Sequence, residues 1–382
     1  MSGYNYSYKH ENLIGINMTK IACTKCNKPF PSDRIPYQCD CGGSFDFAVF
    51  PDYVADQIDL SKFGMMKYAS LFGLEQDCKW ITLGEGNTPL LPTTIGGQTI
   101  FCKMESHNPT GSYKDRGSAV LVSFLRSRGV EFAVEDSSGN AGASFAGYCA
   151  KAGLKARVYV PESASGPKRM QIERYAAELI RVPGPRSEAA KAVLKAANSG
   201  VVYASHAWMP FGLTGIASIA YELVEQLGEV PGTVVAPVGH GGLMYGIMRG
   251  FESMAKAGAI PHEPYYVGVQ SNGCAPVTTA FIQKTSEITE VPLSETAAEG
   301  VKVAQPARGS AIVERMLSGN GSMISINENQ LLESWCESAA QGFYMEPTSA
   351  LVWAAIKQNI KDFKTPVVAV ITGSGYKSTI LS

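Results

Sequence analysis

From residue 99 the chain alternates short β-rich apolar runs with helical stretches of ten or more residues. TIFCKM (99–104) has the pattern of a strand, and KDRGSAVLVSFLRSRG (114–129) that of a helix closed by Gly129. The same rhythm gives strands at 132–136, 156–160, 179–182 and 201–205, with helices at 140–153, 167–178 and 187–200 between them. It resumes with a helix at 216–228, a strand at 233–238, a helix at 243–258 and a strand at 265–270, and the chain closes with the strand PVVAVIT (366–372) before Gly373. Such alternation predicts βαβ units and a parallel sheet. The helix NAGASFAGYCAKAG is rich in small residues, which suits close packing on a sheet. Upstream, residues 1–20 read as a loose polar tail and 21–50 as a cysteine-bearing segment. Residues 51–95 mix a helical pattern with the turn-rich loop GEGNTPLLP. In a parallel α/β sheet ligands sit at the carboxyl ends of the strands, so the polar loops there are where chemistry is expected.

The length of 382 residues allows two or three domains and a large buried core. A net charge of -1 gives no reason to expect a nucleic-acid or membrane-surface partner. No apolar run reaches the roughly 18 residues of a membrane span. The N-terminus has neither a signal-peptide core nor an Arg-rich transit pattern, so a cytoplasmic enzyme is expected. In that compartment Cys78, Cys102, Cys149, Cys274 and Cys336 are expected as free thiols.

Two close cysteine pairs stand apart from these. Cys23-x-x-Cys26 and Cys39-Asp40-Cys41-Gly42-Gly43 match a four-cysteine zinc ribbon, because thiolates suit zinc and glycines allow the knuckle turn. The second pair is tighter than the usual Cys-x-x-Cys. With no open ligand position, such a site would be structural or serve assembly. The plain alternative is four reduced cysteines without metal.

The loop Asn108-Pro109-Thr110-Gly111-Ser112-Tyr113-Lys114-Asp115-Arg116-Gly117 lies between a strand and a helix. It places Lys114 at a helix N-terminus, where the dipole disfavours a second cation. A lysine so placed is a usable amine nucleophile. An ordinary first turn with a solvated lysine is the bland alternative.

This loop resembles the cofactor-lysine motif of threonine synthases, within the fold-type II (tryptophan synthase β class) pyridoxal-phosphate (PLP) enzymes. Further segments resemble that family in the right order: Gly84-Glu85-Gly86-Asn87-Thr88-Pro89-Leu90, Ser137-Ser138-Gly139-Asn140-Ala141-Gly142, Pro237-Val238-Gly239-His240-Gly241-Gly242-Leu243, Glu346-Pro347-Thr348-Ser349-Ala350 and Thr372-Gly373-Ser374-Gly375-Tyr376-Lys377. The resemblance runs from about residue 84 to the end. It implies an α/β fold with a large PLP domain (51–115 with 231–382), a small α/β domain (116–230), a zinc-ribbon-like segment before them, and a homodimer. It implies that Lys114 holds PLP as a Schiff base and takes the substrate's α-proton. Gly239, His240, Gly241, Gly242 and Leu243 would turn their N–H groups to the PLP phosphate. Asn140 would bond the 3′-oxygen, Thr372 would meet the pyridine nitrogen, and Ser138, Gly139 and Ala141 would bind the substrate carboxylate. A hydroxyl at the ring nitrogen supplies no full counter-charge, which favours elimination and replacement at Cβ or Cγ.

One stretch departs from the family. Threonine synthases usually carry Asn-Ser-x-Asn-Pro-x-Arg-x-x-Gly-Gln after the strand matching VVYAS, and the resemblance assigns that arginine to the phosphate of O-phosphohomoserine. Here the stretch is Ser205-His206-Ala207-Trp208-Met209-Pro210-Phe211-Gly212-Leu213-Thr214-Gly215-Ile216. The arginine falls on Gly212, the glutamine on Ile216, and an asparagine common in the phosphate loop on His240. A dianionic leaving group needs charge-assisted donors. Either another basic residue has taken over, Arg308 first and Lys103 next, or the substrate lacks phosphate and Trp208, Met209 and Phe211 make a more apolar pocket. His206 is a candidate acid, anion ligand or packed polar residue. The activity implied is β- or γ-elimination or replacement on a small amino acid, with O-phosphohomoserine to threonine the nearest specific case. Alternatives are a serine/threonine dehydratase, a cysteate synthase-like β-replacement enzyme, a non-catalytic PLP-binding regulator, and a zinc-ribbon interaction protein with an inactive body.

Overall fold

The structure, a computed structural model, describes residues 21–74, 77–164 and 166–378; the tail expected over 1–20 lies outside them. In chain order the strands are β1 (Ile21–Cys23), β2 (Phe45–Phe47), β3 (Leu90–Ile95), β4 (Gln98–Lys103), β5 (Phe132–Glu135), β6 (Lys155–Pro161), β7 (Glu178–Val182), β8 (Val202–Tyr203), β9 (Thr233–Pro237), β10 (Tyr265–Ser271), β11 (Gly321–Ile326) and β12 (Val367–Val370). The helices are α1 (Lys114–Ser127), α2 (Asn140–Ala152), α3 (Pro167–Arg174), α4 (Arg186–Asn198), α5 (Gly212–Leu227), α6 (Gly242–Lys256), α7 (Pro276–Ile282), α8 (Gly309–Arg315), α9 (Glu328–Ala340) and α10 (Pro347–Asn359).

The strands form three sheets: a two-stranded ribbon β1-β2, a six-stranded sheet β11-β10-β9-β12-β4-β3, and a four-stranded sheet β7-β6-β5-β8. The four-stranded sheet is parallel throughout, and the six-stranded one is parallel except for β3, which runs antiparallel to β4 at its edge. Alternate side chains of the central strands face opposite helices. Val235, Val267, Val367 and Ala369 pack with Trp353 and its neighbours on the buried α10. Val234, Ala236, Val368 and Val370 pack with Met244, Ile247 and Phe251 of α6. In the smaller sheet Val158 and Val160 share a core with Ala143 and Ala146 of α2, and Val134, Tyr159 and Tyr203 close on Val193 of α4. Among the described residues no helix is long and apolar enough to cross a membrane.

Several elements differ from the sequence pattern. β3 falls where a turn-rich loop had been expected; Pro92 is compatible with a strand there because the strand is an edge. The helix expected over 167–178 stops at Arg174, and Ala176 has φ +61°, a left-handed value a helix cannot continue through. α5 starts at Gly212, earlier than the pattern at 216–228.

The ribbon joins the body through α6. Cys23 pairs with Phe45 and Ile21 with Phe47. Tyr245 of α6 donates its hydroxyl hydrogen to Asp46 at 2.8 Å, and Arg249 donates to the Phe47 carbonyl at 3.3 Å.

Candidate active site

Segments at the carboxyl ends of β4, β5, β8, β9 and β12 converge on one cavity lined by Lys114, Asn140, His206, His240 and Thr372. That is the position a parallel sheet assigns to a ligand.

Lys114 opens α1, and the turn before it is held on both sides. Ser112 bridges to Gly373, and the Tyr113 N–H donates to the Thr372 carbonyl at 3.0 Å. Asp115, fully buried, accepts the Thr110 N–H at 2.6 Å and the hydroxyls of Thr110 and Ser144 at 2.5 and 2.6 Å. Burial pushes its carboxyl up to about 6 against those hydrogen bonds. Arg116 is locked between Glu105 and Glu222, each at 2.7 Å. Burial alone would raise Glu222, but Arg116 and Lys103 hold it well below the ordinary carboxylate range. With its two successors pinned, Lys114 is left facing the cavity, its ammonium 4.8 Å from the Tyr113 ring centre.

On the opposite wall Val238 leads into Gly239, His240, Gly241 and then α6 from Gly242. Gly241 has φ +91°, and a Cβ there would also meet Ile312 Cδ1 at 2.8 Å, so only glycine makes this turn. The first N–H groups of a helix have no intrahelical acceptor, and Gly239, His240, Gly241, Gly242 and Leu243 all line the cavity. Ser138, Gly139 and Ala141 line the cavity at the start of α2. Asn140 donates to Glu346 at 2.8 Å, while its Oδ1 is buried without a partner. Thr372 donates to Glu346 at 3.0 Å and lies 2.9 Å from the Ser349 hydroxyl.

The structure thus brings together Lys114, Ser138, Gly139, Asn140, Ala141, His206, Gly239, His240, Gly241, Gly242, Leu243 and Thr372. It does not bring Arg308 or Lys103 to the cavity, which corrects both as anion ligands. The Arg308 guanidinium donates to the Phe45 and Trp208 carbonyls at 2.8 and 3.2 Å and faces Asp46 at 3.6 Å. A buried guanidinium needs such acceptors, and the ribbon supplies them. Lys103 is fully buried, bonded to Glu222 at 2.6 Å, Thr88 at 2.9 Å and Gln226 at 2.9 Å. Of the apolar trio, Met209 lines the cavity, whereas Phe211 stacks on Phe124 with ring centres 3.6 Å apart.

Three cavity residues were not picked out from the sequence as chemistry, Lys168, Arg186 and Glu346, and neither was Glu135, which is buried against His206. Lys168, on α3, lies 3.3 Å from Glu346, and burial of Glu346 is outweighed by Lys168, Asn140 and Thr372, which hold its carboxyl below the usual range. Arg186 opens α4 and lines the cavity without a carboxylate in ion-pair range among the described residues. The available signal was positional: Arg186 follows the end of β7, Glu135 ends β5, and Glu346 precedes a helix-starting proline.

These groups suit a flat phosphorylated aldehyde: an amine to condense with it, N–H groups for its phosphate, and Asn140 and Thr372 as polar partners. The site is that of a PLP enzyme. Residues 81–373 match the family model described as pyridoxal-phosphate dependent enzyme, and the chain belongs to that family. It is 31% identical to threonine synthase of Methanocaldococcus jannaschii over 93% of this chain and 92% of that protein. It is 29% identical to threonine synthase of Methanosarcina acetivorans over 89% and 87%. Among solved structures, maize serine racemase superposes with a TM-score of 0.65 at 18% identity, covering 77% of this chain and 89% of that one. An O-acetylserine-dependent cystathionine β-synthase from Helicobacter pylori gives 0.63 at 21% identity over 76% and 94%.

Proposed function

We propose that the protein eliminates or replaces an anionic group on the side chain of a small amino acid, with O-phosphohomoserine to threonine as the leading case. The observation that carries this is the meeting, in one cavity, of the Lys114 amine, the amides at the start of α6, and the guanidinium of Arg186, which has no carboxylate in ion-pair range among the described residues. Bound PLP supplies an electron sink for charge developing at the substrate's α-carbon. Lys114 holds the cofactor and moves the α-proton. The N–H groups of 239–243 hold the cofactor phosphate, Asn140 its 3′-oxygen, and Thr372 its ring nitrogen. Ser138, Gly139 and Ala141 take the substrate carboxylate. Arg186 replaces the arginine missing at Gly212. A Cβ at Gly212 would lie 3.2 Å from Gly117 Cα, where α5 crosses α1, so any side chain there requires the two helices to give by a few tenths of an ångström. A dehydratase acting on an uncharged side chain is the second reading, favoured by Met209, Leu213 and Ile216 along the same cavity.

The four cysteines are proposed to hold zinc. Their sulfurs all lie within 4.8 Å of one another, and a tetrahedron with zinc–sulfur bonds of about 2.3 Å has edges of about 3.8 Å. A cytoplasmic homodimer completes the proposal.

The purified protein is expected to absorb at roughly 410–420 nm, the range of a PLP Schiff base. Lys114→Ala should abolish the band, and borohydride with peptide mapping should place the pyridoxyl group on Lys114. An adduct elsewhere, or none, overturns the reading. Screening O-phospho amino acids against their unphosphorylated parents separates the two substrates.

A further inference from the structure

We propose that His206 is the base that takes the proton of an incoming protic nucleophile during replacement, and that Glu135 is its positioning residue. This rests on the function proposed above and adds a second proton-handling group to Lys114.

Glu135 ends β5 and is fully buried. One of its oxygens accepts the Ser137 N–H at 2.5 Å, and the other lies 2.5 Å from His206 Nδ1. Burial raises the Glu135 carboxyl, while the Ser137 N–H and the charges of Lys114 and Arg186 favour its ionised form; ionised, it offers only lone pairs, and the proton of the shared bond then sits on imidazole Nδ1. Nε2 is then the free lone pair of a ring that lines the same cavity as Lys114. A buried carboxylate that fixes tautomer and orientation is the usual way an imidazole is prepared as a base. A packed polar histidine would need neither the cavity face nor a carboxylate fully buried beside it.

The charged groups around His206 come from several elements. Besides Glu135 these are Asp136 after β5, Lys114 on α1, Arg186 on α4, and His240, whose ring meets that of His206 edge-on at 5.7 Å. Burial, reinforced by Lys114 and Arg186 and opposed by Asp136, keeps the imidazole well below its ordinary pKa and therefore neutral near pH 7.

Lys114 cannot do this task as well. After elimination it carries the proton taken from the α-carbon and must return it. When a nucleophile H–X adds, the X lone pair forms the new bond to the side-chain carbon of the double bond left by elimination. That double bond's electron pair moves toward the α-carbon, and the H–X proton goes to His206 Nε2. Lys114 returns its proton to the substrate, and His206 releases the other to the departing anion or to solvent. No oxidant or reductant is needed.

The test uses the holoenzyme labelled with nitrogen-15 in its histidines. His206 is expected to be neutral with its proton on Nδ1 from pH 7.5 to below 6.5, and Glu135→Gln is expected to erase that tautomer preference. In single-turnover mixing with water as nucleophile, His206→Asn and Glu135→Gln should slow the addition half by about 10²–10⁴-fold. Release of the leaving group should slow by less than a tenth as much. In the parent protein the addition rate should fall only below pH 6.5, as His206 takes a proton, and Glu135→Gln should move that limb. A proton on Nε2, a charged His206 at pH 7, or equal slowing of both halves overturns the proposal. Absence of cofactor on Lys114 would instead sink the function proposed above, while the tautomer measurement would still report on the pair.

Discussion

The basic residues in and around this cavity differ most in whether their charge is spent. Lys103, Arg116 and Arg308 all have protein acceptors and are buried, so they hold structure. Arg186 is more exposed and has no carboxylate partner among the described residues, so its charge is available to a ligand. A hydrogen bond to a charged group is worth roughly 1.5–3 kcal/mol. Arg186→Ala should therefore raise KM for an O-phospho amino acid by about 10–100-fold, with a far smaller effect on an unphosphorylated one. Steady-state kinetics with both substrates measures this, and equal effects on the two would remove Arg186 from the anion site. Arginine position was poorly legible in the sequence. Matching by order pointed to Gly212, and the search for another basic residue pointed to Arg308. Neither carries information on where a guanidinium finds acceptors, and for Arg308 those come from a ribbon some 260 residues away in the chain, at Phe45.

At the scale of elements, close approach does the positioning. A Cβ at Gly142 would run into the Ser137 carbonyl oxygen and meet Ile172 Cδ1 at 3.2 Å. Gly142→Ala should therefore push the 137–140 turn outward and cost about 1–3 kcal/mol of stability. It should also weaken PLP binding, because Asn140 rides on the displaced turn. Denaturant melts and absorbance titration of the apoprotein read the two effects, and unchanged cofactor affinity would show that the turn absorbs the methyl. The parallel strands were legible because they are short apolar runs between clear helices, as in β9 and β12. β3 was hidden by Pro92, and α9 and α10 were not separated from their surroundings by the pattern. α10 is buried along nearly its whole length, so it lacks the polar face that marks a helix from sequence.

At the scale of the molecule, the ribbon and α6 are one mechanical unit. Asp46 and the Phe45 and Phe47 carbonyls tie β2 to Tyr245, Arg308 and Arg249. With zinc bound by the four cysteines as proposed, a chelator, or Cys41→Ser, should lower the melting temperature and also the affinity for PLP. Metal analysis, thermal melts and cofactor titration test this; a lower melting temperature with unaltered PLP affinity would confine the metal's role to the ribbon. The cysteine spacing displayed the ribbon itself in the sequence. What it grips was not visible, because those contacts join segments some 200 to 260 residues apart.

The cavity has walls from two different sheets: Asn140 and His206 follow strands of the four-stranded one, Thr372 and the 239–243 turn follow strands of the six-stranded one. Neither half of the chain contains a binding site by itself. A ligand that touches both walls works as a rivet, so occupancy should resist any slippage of one sheet along the other, and a lesion at their seam can empty the pocket while leaving every residue inside it untouched.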